Sequence, residues 1–261
     1  FNTPEIMAEY EAHDIVPLVP IFNSGAGALF CAQPRNALAD FAGLSINAAS
    51  AAHAAQVSEL GGSPVSIAYT ELFESLQRGV VDCALTAPTV ALLGGFAGAA
   101  PHVVIDPNAG FGGAPGGLAI GRDTWDSLPL VAKQLLWDKL DVFIESNIAD
   151  KIFPNGAEMA KTIKAAGGGV RELASDARAA VQRANTATLD ELRESTAVAD
   201  SDAFVDGMFS AAEEWEAKVA DLGYENVPYD ELDTALAGQT FDLSAYTKLV
   251  METIFNPHRP S

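Results

Sequence analysis

Between residues 44 and 88 the chain alternates in a way that leaves few folds open. Leu44-Ser45-Ile46 reads as a short apolar strand entered through Gly43. Residues 48–60 are rich in alanine and free of glycine, which predicts a helix stopping at Gly61-Gly62. Pro64-Val65-Ser66-Ile67-Ala68 alternates as a second strand. Thr70 then stands where an N-cap is wanted, with Glu71 and Glu74 in the first turn, where carboxylates suit the positive end of a helix dipole. Leu72, Phe73 and Leu76 share one helical face, and Gly79 supplies the stop. Val80-Val81-Asp82-Cys83-Ala84-Leu85 closes the unit as a third strand whose apolar run suits burial on both faces. Strand, helix, strand, helix, strand is the pattern of a parallel α/β sheet.

The flanking sequence continues in the same style. Residues 4–13 read as a helix with Ile6, Met7 and Tyr10 on one face, followed by a strand over 15–21. Residues 23–27 form a turn or crossover leading to the strand Ala28-Leu29-Phe30-Cys31, and residues 38–42 form a short helical turn. Past Pro88 come a helix over 89–96, the strand Val103-Val104-Ile105 and a glycine-dense stretch over 107–117. That stretch lacks the G-x-G-x-x-G spacing and the Walker lysine of a phosphate cradle, so it reads as a loop or a crossover where backbones approach closely. Leu118-Ala119-Ile120 is a strand, and a helix runs from Thr124 through Trp137 to about Ile152. The remainder is helical apart from an edge strand at Val170-Arg171-Glu172-Leu173. Phe204, Met208, Ala211, Trp215 and Val219 recur at helical spacing, a stripe read as core packing, and residues 229–237 and 246–255 form terminal helices.

Composition narrows the function classes. Thirty-five acidic against 15 basic residues give a net charge of −20, which repels phosphate backbones and argues against nucleic-acid binding. No apolar run approaches the roughly 20 residues that span a bilayer. The two cysteines, Cys31 and Cys83, are not spaced for a metal. Free buried thiols are the expected state, and a bridge is the alternative open to an exported protein. Phe1-Asn2-Thr3-Pro4 has neither the basic nor the apolar region of a signal peptide. A catalytic centre needs a nucleophile, a base and an orienter together. The sequence offers no G-x-S-x-G, H-E-x-x-H or C-x-x-C, and its four histidines occur singly. No catalytic residue, metal site or cofactor is expected.

Three blocks carry a resemblance. Ala39-Asp40-Phe41-Ala42-Gly43-Leu44-Ser45-Ile46, Leu60-Gly61-Gly62-Ser63-Pro64-Val65 and Glu71-Leu72-Phe73-Glu74-Ser75-Leu76-Gln77-Arg78-Gly79-Val80-Val81-Asp82 occur in that order. They are similar to the "D-l-k-G-l-k-I-R", "l-G-a-x-P-v" and "E-x-Y-x-a-L-q-x-G-v-v-D-G" segments of the solute-binding proteins of TRAP transporters, the DctP-type family. The segment from Ile120 to Pro129 resembles the family's "n-x-x-x-W-x-x-L-P". The resemblance covers roughly the middle half of the chain. It implies an α/β, two-lobe periplasmic binding protein-like fold with crossing hinge strands and a helical C-terminal tail. Residues 1–25 plus 113–152 are then part of lobe I, residues 26–112 plus 153–180 lobe II, and residues 181–261 a helical segment across both. It also implies that an earlier portion of lobe I, on the order of 100 residues, has no counterpart before Phe1.

The same resemblance implies an exported or periplasmic receptor that closes on a small organic solute, an organic acid or a neutral polar molecule. The receptor hands its solute to TRAP membrane permease subunits, acts as a monomer and is not an enzyme. The ligand-binding positions it implies are Gly27, Asn47, Tyr69, Thr86, Ala87, Asn108 and Phe111. Asn47 stands where the family carries an arginine that grips a carboxylate with two parallel hydrogen bonds. A second family arginine falls at about Gly27, and Arg35, the nearest guanidinium, matches neither position. An amide both donates and accepts, so Asn47 suits a hydroxyl, an amide or a neutral carbonyl. An acid held by backbone N–H groups or by other donors stays open. Tyr69 falls at a cleft aromatic, Thr86 or Ala87 at a polar contact, and Asn108 and Phe111 in the glycine-dense loop. Asp82 reads as a structural hydrogen-bonding residue, and Cys83 replaces the motif's glycine. Two rivals remain: an α/β enzyme of hydrolase or isomerase type, and a ligand-sensing domain without a transport role.

Overall fold

The computed structural model describes every residue except Ser24, Ala26, Ala114, Ala199, Glu225, Asn226, Ala237, Gly238 and Thr240, and the side chains of Asn23 and Pro115. Parts of the turn expected over 23–27, of the loop over 107–117 and of the helix expected to end at Ala237 therefore lie outside the described residues.

Helix α1 (Pro4–Ala12) opens with a proline, whose missing N–H is of no consequence in a first turn. Strand β1 (Ile15–Asn23) follows, but its partner is the distant, antiparallel β7 (Pro115–Gly121). Between them lie β2 (Ala28–Cys31), α2 (Leu38–Phe41), β3 (Ser45–Asn47), α3 (Ala51–Glu59), β4 (Ser63–Val65), α4 (Tyr69–Gln77) and β5 (Cys83–Thr86). Helices α5 (Pro88–Leu93) and α6 (Phe96–Ala99) and strand β6 (His102–Val104) complete that stretch. After β7 come α7 (Arg122–Ser127), α8 (Leu130–Asp138), α9 (Leu140–Ser146), a π-helical turn (Asn147–Ile152), α10 (Phe153–Ala165) and β8 (Gly169–Arg171). The tail is α11 (Ser175–Arg193), α12 (Ser201–Asp221), α13 (Leu232–Ala235) and α14 (Ser244–Val250), which continues as a π-helical turn.

Two sheets result: β1-β7, and a six-stranded sheet ordered β4-β3-β5-β2-β6-β8. The expected parallel unit is present, with β4 and β5 flanking β3 in parallel. The sheet as a whole is mixed, because β2 enters from the opposite direction and runs antiparallel to both β5 and β6. Gly61 and Gly79 end α3 and α4 in the left-handed conformation, at φ 81° and 70°. The strands expected over 64–68 and 80–85 shorten to Ser63–Val65 and Cys83–Thr86, the helix expected over 124–152 is broken into α7, α8, α9 and the π-helical turn, and two helix starts move. Helix α3 starts at Ala51, capped by the Ser50 hydroxyl, because Ala48 N–H still bonds Val65 O within the sheet. Helix α4 starts at Tyr69 after Ala68, so Thr70 lies inside the helix and is not its cap.

Alternation along β2 places its side chains on two faces. Leu29 and Cys31 join Ile46, Leu85, Val57 of α3 and Val181 of α11 on one side. Ala28 and Phe30 join Leu72 and Leu76 of α4 and Met159 and Ile163 of α10 on the other. Cys31 lies directly opposite Cys83, and the two are joined in a disulfide. The expectation of free thiols is therefore corrected. The Cα atoms are 4.1 Å apart, the spacing of a non-hydrogen-bonded antiparallel pair, where opposed side chains come closest. A third apolar cluster covers the two-stranded sheet, with Leu18, Val19, Trp125, Trp137 and Phe255, and Trp215 of α12 packs against it. The stripe on α12 is otherwise not core. Met208 and its neighbour Phe209 are each 52% exposed, because α12 touches the body through Val205 and Trp215 and leaves that turn in solvent.

Candidate functional site

Register decides where the implied ligand positions fall. Asn47 ends β3 opposite Val65 and Ala84. Thr86 ends β5 opposite Ala28, the first residue of β2. Val104, at the end of β6, pairs with Leu29. The carboxyl ends of β3, β4, β5 and β6 and the entry to β2 therefore share one edge of the six-stranded sheet. Gly27, Asn47, Thr86 and Ala87 lie on it, and Tyr69, Asn108 and Phe111 follow strands that end there. The two passages between the sheets, from β1 to β2 and from β6 to β7, leave from the same edge. In open α/β sheets, ligands bind outside the carboxyl ends of strands.

The individual positions differ in what they can offer. Asn47 is 6% exposed, and its Oδ1 accepts the Ile67 N–H at 2.8 Å, tying the end of β3 to the segment after β4. Its Nδ2 has no partner among the described residues. Tyr69 is half exposed, stacks edge-on to Phe96 at 6.1 Å and points its hydroxyl at Val90 O at 3.4 Å. Thr86 is partly buried, and Ala87 is buried as the residue before Pro88, the first of α5. Asn108 is exposed, its N–H bonding Asp106 Oδ1 at 2.8 Å. Phe111 is buried in the core and pairs through its backbone with Gly27 in an isolated bridge. A Cβ on Gly27 would lie 2.5 Å from Gly112 O, so the two passages cross here with no room for a side chain.

Ties at both edges hold the strands together. At the opposite edge, where β3 and β5 begin, the Asp82 carboxylate accepts from Ser45 N–H at 2.8 Å, the structural role read from the motif. Asp106 is the residue the sequence reading passed over. Its fully buried carboxylate accepts from Asn108 N–H, from Leu173 N–H at 3.0 Å and from Arg178 Nε at 2.9 Å. Arg178 also donates to Glu172 and to Leu173 O, so its charge is already matched. The available signal was an aspartate directly after the buried run Val103-Val104-Ile105, where only a fully bonded carboxylate is tolerated. Arg35 lies beyond the opposite end of β2. Among the described residues no cluster of His, Cys, Asp and Glu could hold a metal. A cavity of about 430 Å³ beside β1, walled by Phe22, Phe143, Trp215 and Ile254, contains none of these seven positions and is lined mainly by apolar side chains.

The model of the family described as DctP, bacterial extracellular solute-binding protein, family 7, matches residues 3–196. The chain belongs to this family. No curated protein matches. Among solved structures, the chain is similar to the periplasmic ectoine-binding protein of the TeaABC TRAP transporter from Halomonas elongata, at 20% identity and TM-score 0.61. That match covers 72% of this chain and 60% of the other. It is also similar to a TRAP periplasmic solute-binding protein from Desulfovibrio salexigens with bound orotic acid, at 20% identity, TM-score 0.64 and coverage of 82% and 66%. A third, from Desulfovibrio desulfuricans with bound sn-glycerol-3-phosphate, gives 16%, 0.67, 78% and 64%. The chain thus spans less than two thirds of the length of each of these three structures. At these identities the likeness concerns the fold, the mixed α/β fold of two-lobe TRAP periplasmic binding proteins. Among the described residues no helix is long and apolar enough to cross a membrane.

Proposed function

We propose that this chain binds one small polar organic solute at the carboxyl edge of the six-stranded sheet, as part of an extracytoplasmic receptor that delivers the solute to a TRAP permease. The two sheets act as jaws, divided as residues 1–25 plus 113–152 and residues 26–112 plus 153–180, with residues 181–261 spanning them. The observation that carries the reading is the crossing of Gly27 and Phe111 at the edge where Asn47, Thr86 and Ala87 converge. A crossing of single strands lets two lobes rotate without breaking a ladder, and closure then surrounds the solute. Binding and closure are the whole mechanism.

The edge carries no free guanidinium among the seven positions. Asn47 holds Ile67 through Oδ1 and keeps one N–H donor group, Nδ2, for a solute. A single neutral donor replaces a charge-assisted fork, whose bonds are worth roughly 1.5–3 kcal/mol each. The solute is therefore a hydroxyl-, amide- or carbonyl-bearing molecule held without a carboxylate clamp. Solutes bound by the similar structures, such as ectoine and orotic acid, show that this fold accommodates unlike molecules. Thermal shift against polyols, amides, amino acids and monocarboxylates tests the assignment. Stabilisation by a neutral polar compound, weakened in Asn47→Ala, is expected. Stabilisation by simple monocarboxylates that vanishes in Asn47→Ala contradicts the loss of the clamp.

A further inference from the structure

The passage from β6 to β7 is unusual in how its backbone is held. Among the described residues its one bridge to another strand between residues 108 and 112 is the isolated pair Gly27–Phe111. Backbone groups left without a ladder partner are held here by side chains. Gln56 of α3, 3% exposed, donates to Gly110 O at 3.3 Å and accepts from Gly112 N–H at 3.3 Å. It also donates to Asn185 Oδ1 of α11 at 2.7 Å, while Asn185 Nδ2 donates to the same Gly110 O at 3.0 Å. His53, also 3% exposed, meets Gly112 O at 2.7 Å. A carbonyl can only accept, so Nε2 carries the proton. Gln182 of α11 completes the set by donating to Asn108 O at 3.0 Å.

Two adjacent helices of the six-stranded lobe thus grip one irregular segment, and Phe111 is sunk into that lobe's core between the gripped residues. Among the described residues beyond Gly112 no comparable set of side-chain bonds holds the backbone, and β7 is paired instead with β1. A Cβ on Gly112 would meet the His53 ring at 3.2 Å, so the grip also depends on a glycine at its centre.

We infer that Gln56, with His53, Asn185 and Gln182, forms a positioning clasp that fixes residues 108–112 to the six-stranded lobe, so that the bending of lobe closure falls after Gly112. The inference rests on the receptor reading above and adds to it the residues that set the rest position of the jaws. None of them is among the seven positions of the proposed solute site. Their role is to hold the segment presenting Asn108 and Phe111, and to deny that segment the freedom to bend within the lobe.

The test needs no solute. Spin labels at Gln77→Cys on α4 and Thr124→Cys on α7 report the distance between lobes, and the native cysteines are both in the disulfide. Gln56→Leu keeps the core filled but removes three bonds. It is expected to widen the solute-free distance distribution by about half, and to lower amide protection at Gly110–Gly112 on the order of tenfold. Should Gln56→Leu not fold, Asn185→Ala and Gln182→Ala remove the Gly110 and Asn108 bonds from the outer face of α11 and should move both readouts the same way. Folded variants that lose thermal stability yet keep the wild-type distance distribution overturn the inference, because a residue of merely structural importance would do that. Adding the solute panel to the labelled wild type is a separate experiment: absence of any narrowing counts against the receptor reading and leaves the clasp result as measured.

Discussion

Reducing the Cys31–Cys83 bond should destabilise the six-stranded lobe strongly and selectively. The cysteines are 52 residues apart, and on the chain-entropy account a loop of that length is worth about 4 kcal/mol to the folded state. That is on the order of a thousandfold in the unfolding equilibrium. The bond joins β2 to β5 at the centre of the sheet, so the effect should be confined to that lobe. The three tryptophans provide the control. Trp125, Trp137 and Trp215 all belong to the cluster on the two-stranded sheet. Urea unfolding followed by far-UV circular dichroism should show a large loss after reduction, whereas the tryptophan fluorescence transition should shift much less. A thiol titration of the unfolded, unreduced protein should find no free thiol. Two reactive thiols there, or a circular dichroism transition that reduction moves by less than about 1 kcal/mol, refutes the reasoning.

Asp106→Ala should destabilise by about 3–5 kcal/mol, since it strands two backbone N–H groups and leaves Arg178 half-shielded beside Glu172. A double-mutant cycle with Arg178→Met should show coupling above about 1 kcal/mol, and additive losses argue against the pair. Burial, with the Arg171 charge second, holds His102 below its ordinary value of 6.5. On acidification the unfolded chain therefore takes up this proton first. The stability His102 contributes is fully present above about pH 6.5 and declines as the pH falls through that value. His102→Gln should flatten the stability difference measured between about pH 5 and pH 7.5, and identical slopes in both proteins contradict the assignment. Asp82→Ala removes the tie to Ser45 and should cost about 1–2 kcal/mol while leaving the disulfide formed, as read by urea midpoint and thiol titration.

The parts of this fold that were legible in the sequence are those governed by local rules. Gly61 and Gly79 stop their helices because only a left-handed turn fits there, and Leu72 and Leu76 face inward because helical spacing puts them together. The direction of β2 was not legible. Four apolar residues carry no record of which way they run, and only the crossing at Gly27 fixes it. The disulfide was missed for the same reason, since it follows from a register between strands distant in sequence. Met208 was misread because spacing predicts that a stripe exists, not whether a neighbour arrives to cover it.

The candidate site shows a subtler limit. Its order along the chain was readable: Gly27, Asn47, Thr86 and Ala87 lie at one edge of the sheet, and Tyr69, Asn108 and Phe111 follow strands that end there. What the sequence could not show is that the polar groups there have partners within the protein. Asn47 gives its carbonyl to Ile67, and Asp106 both oxygens to the neighbouring turn and to Arg178. Each tie satisfies a backbone or guanidinium donor that would otherwise compete for the solute. What the proposed site would offer a ligand is the remainder: one amide N–H donor group of Asn47, the exposed Tyr69 ring and the backbone at the strand ends. A site of that kind selects by shape and by a few neutral hydrogen bonds, so its affinity must depend heavily on how well the jaws are set before the solute arrives. Under the proposed reading, Asn47 in place of an arginine and the side-chain clasp on residues 108–112 are two aspects of one design: fixed geometry takes over a role that charge would otherwise fill.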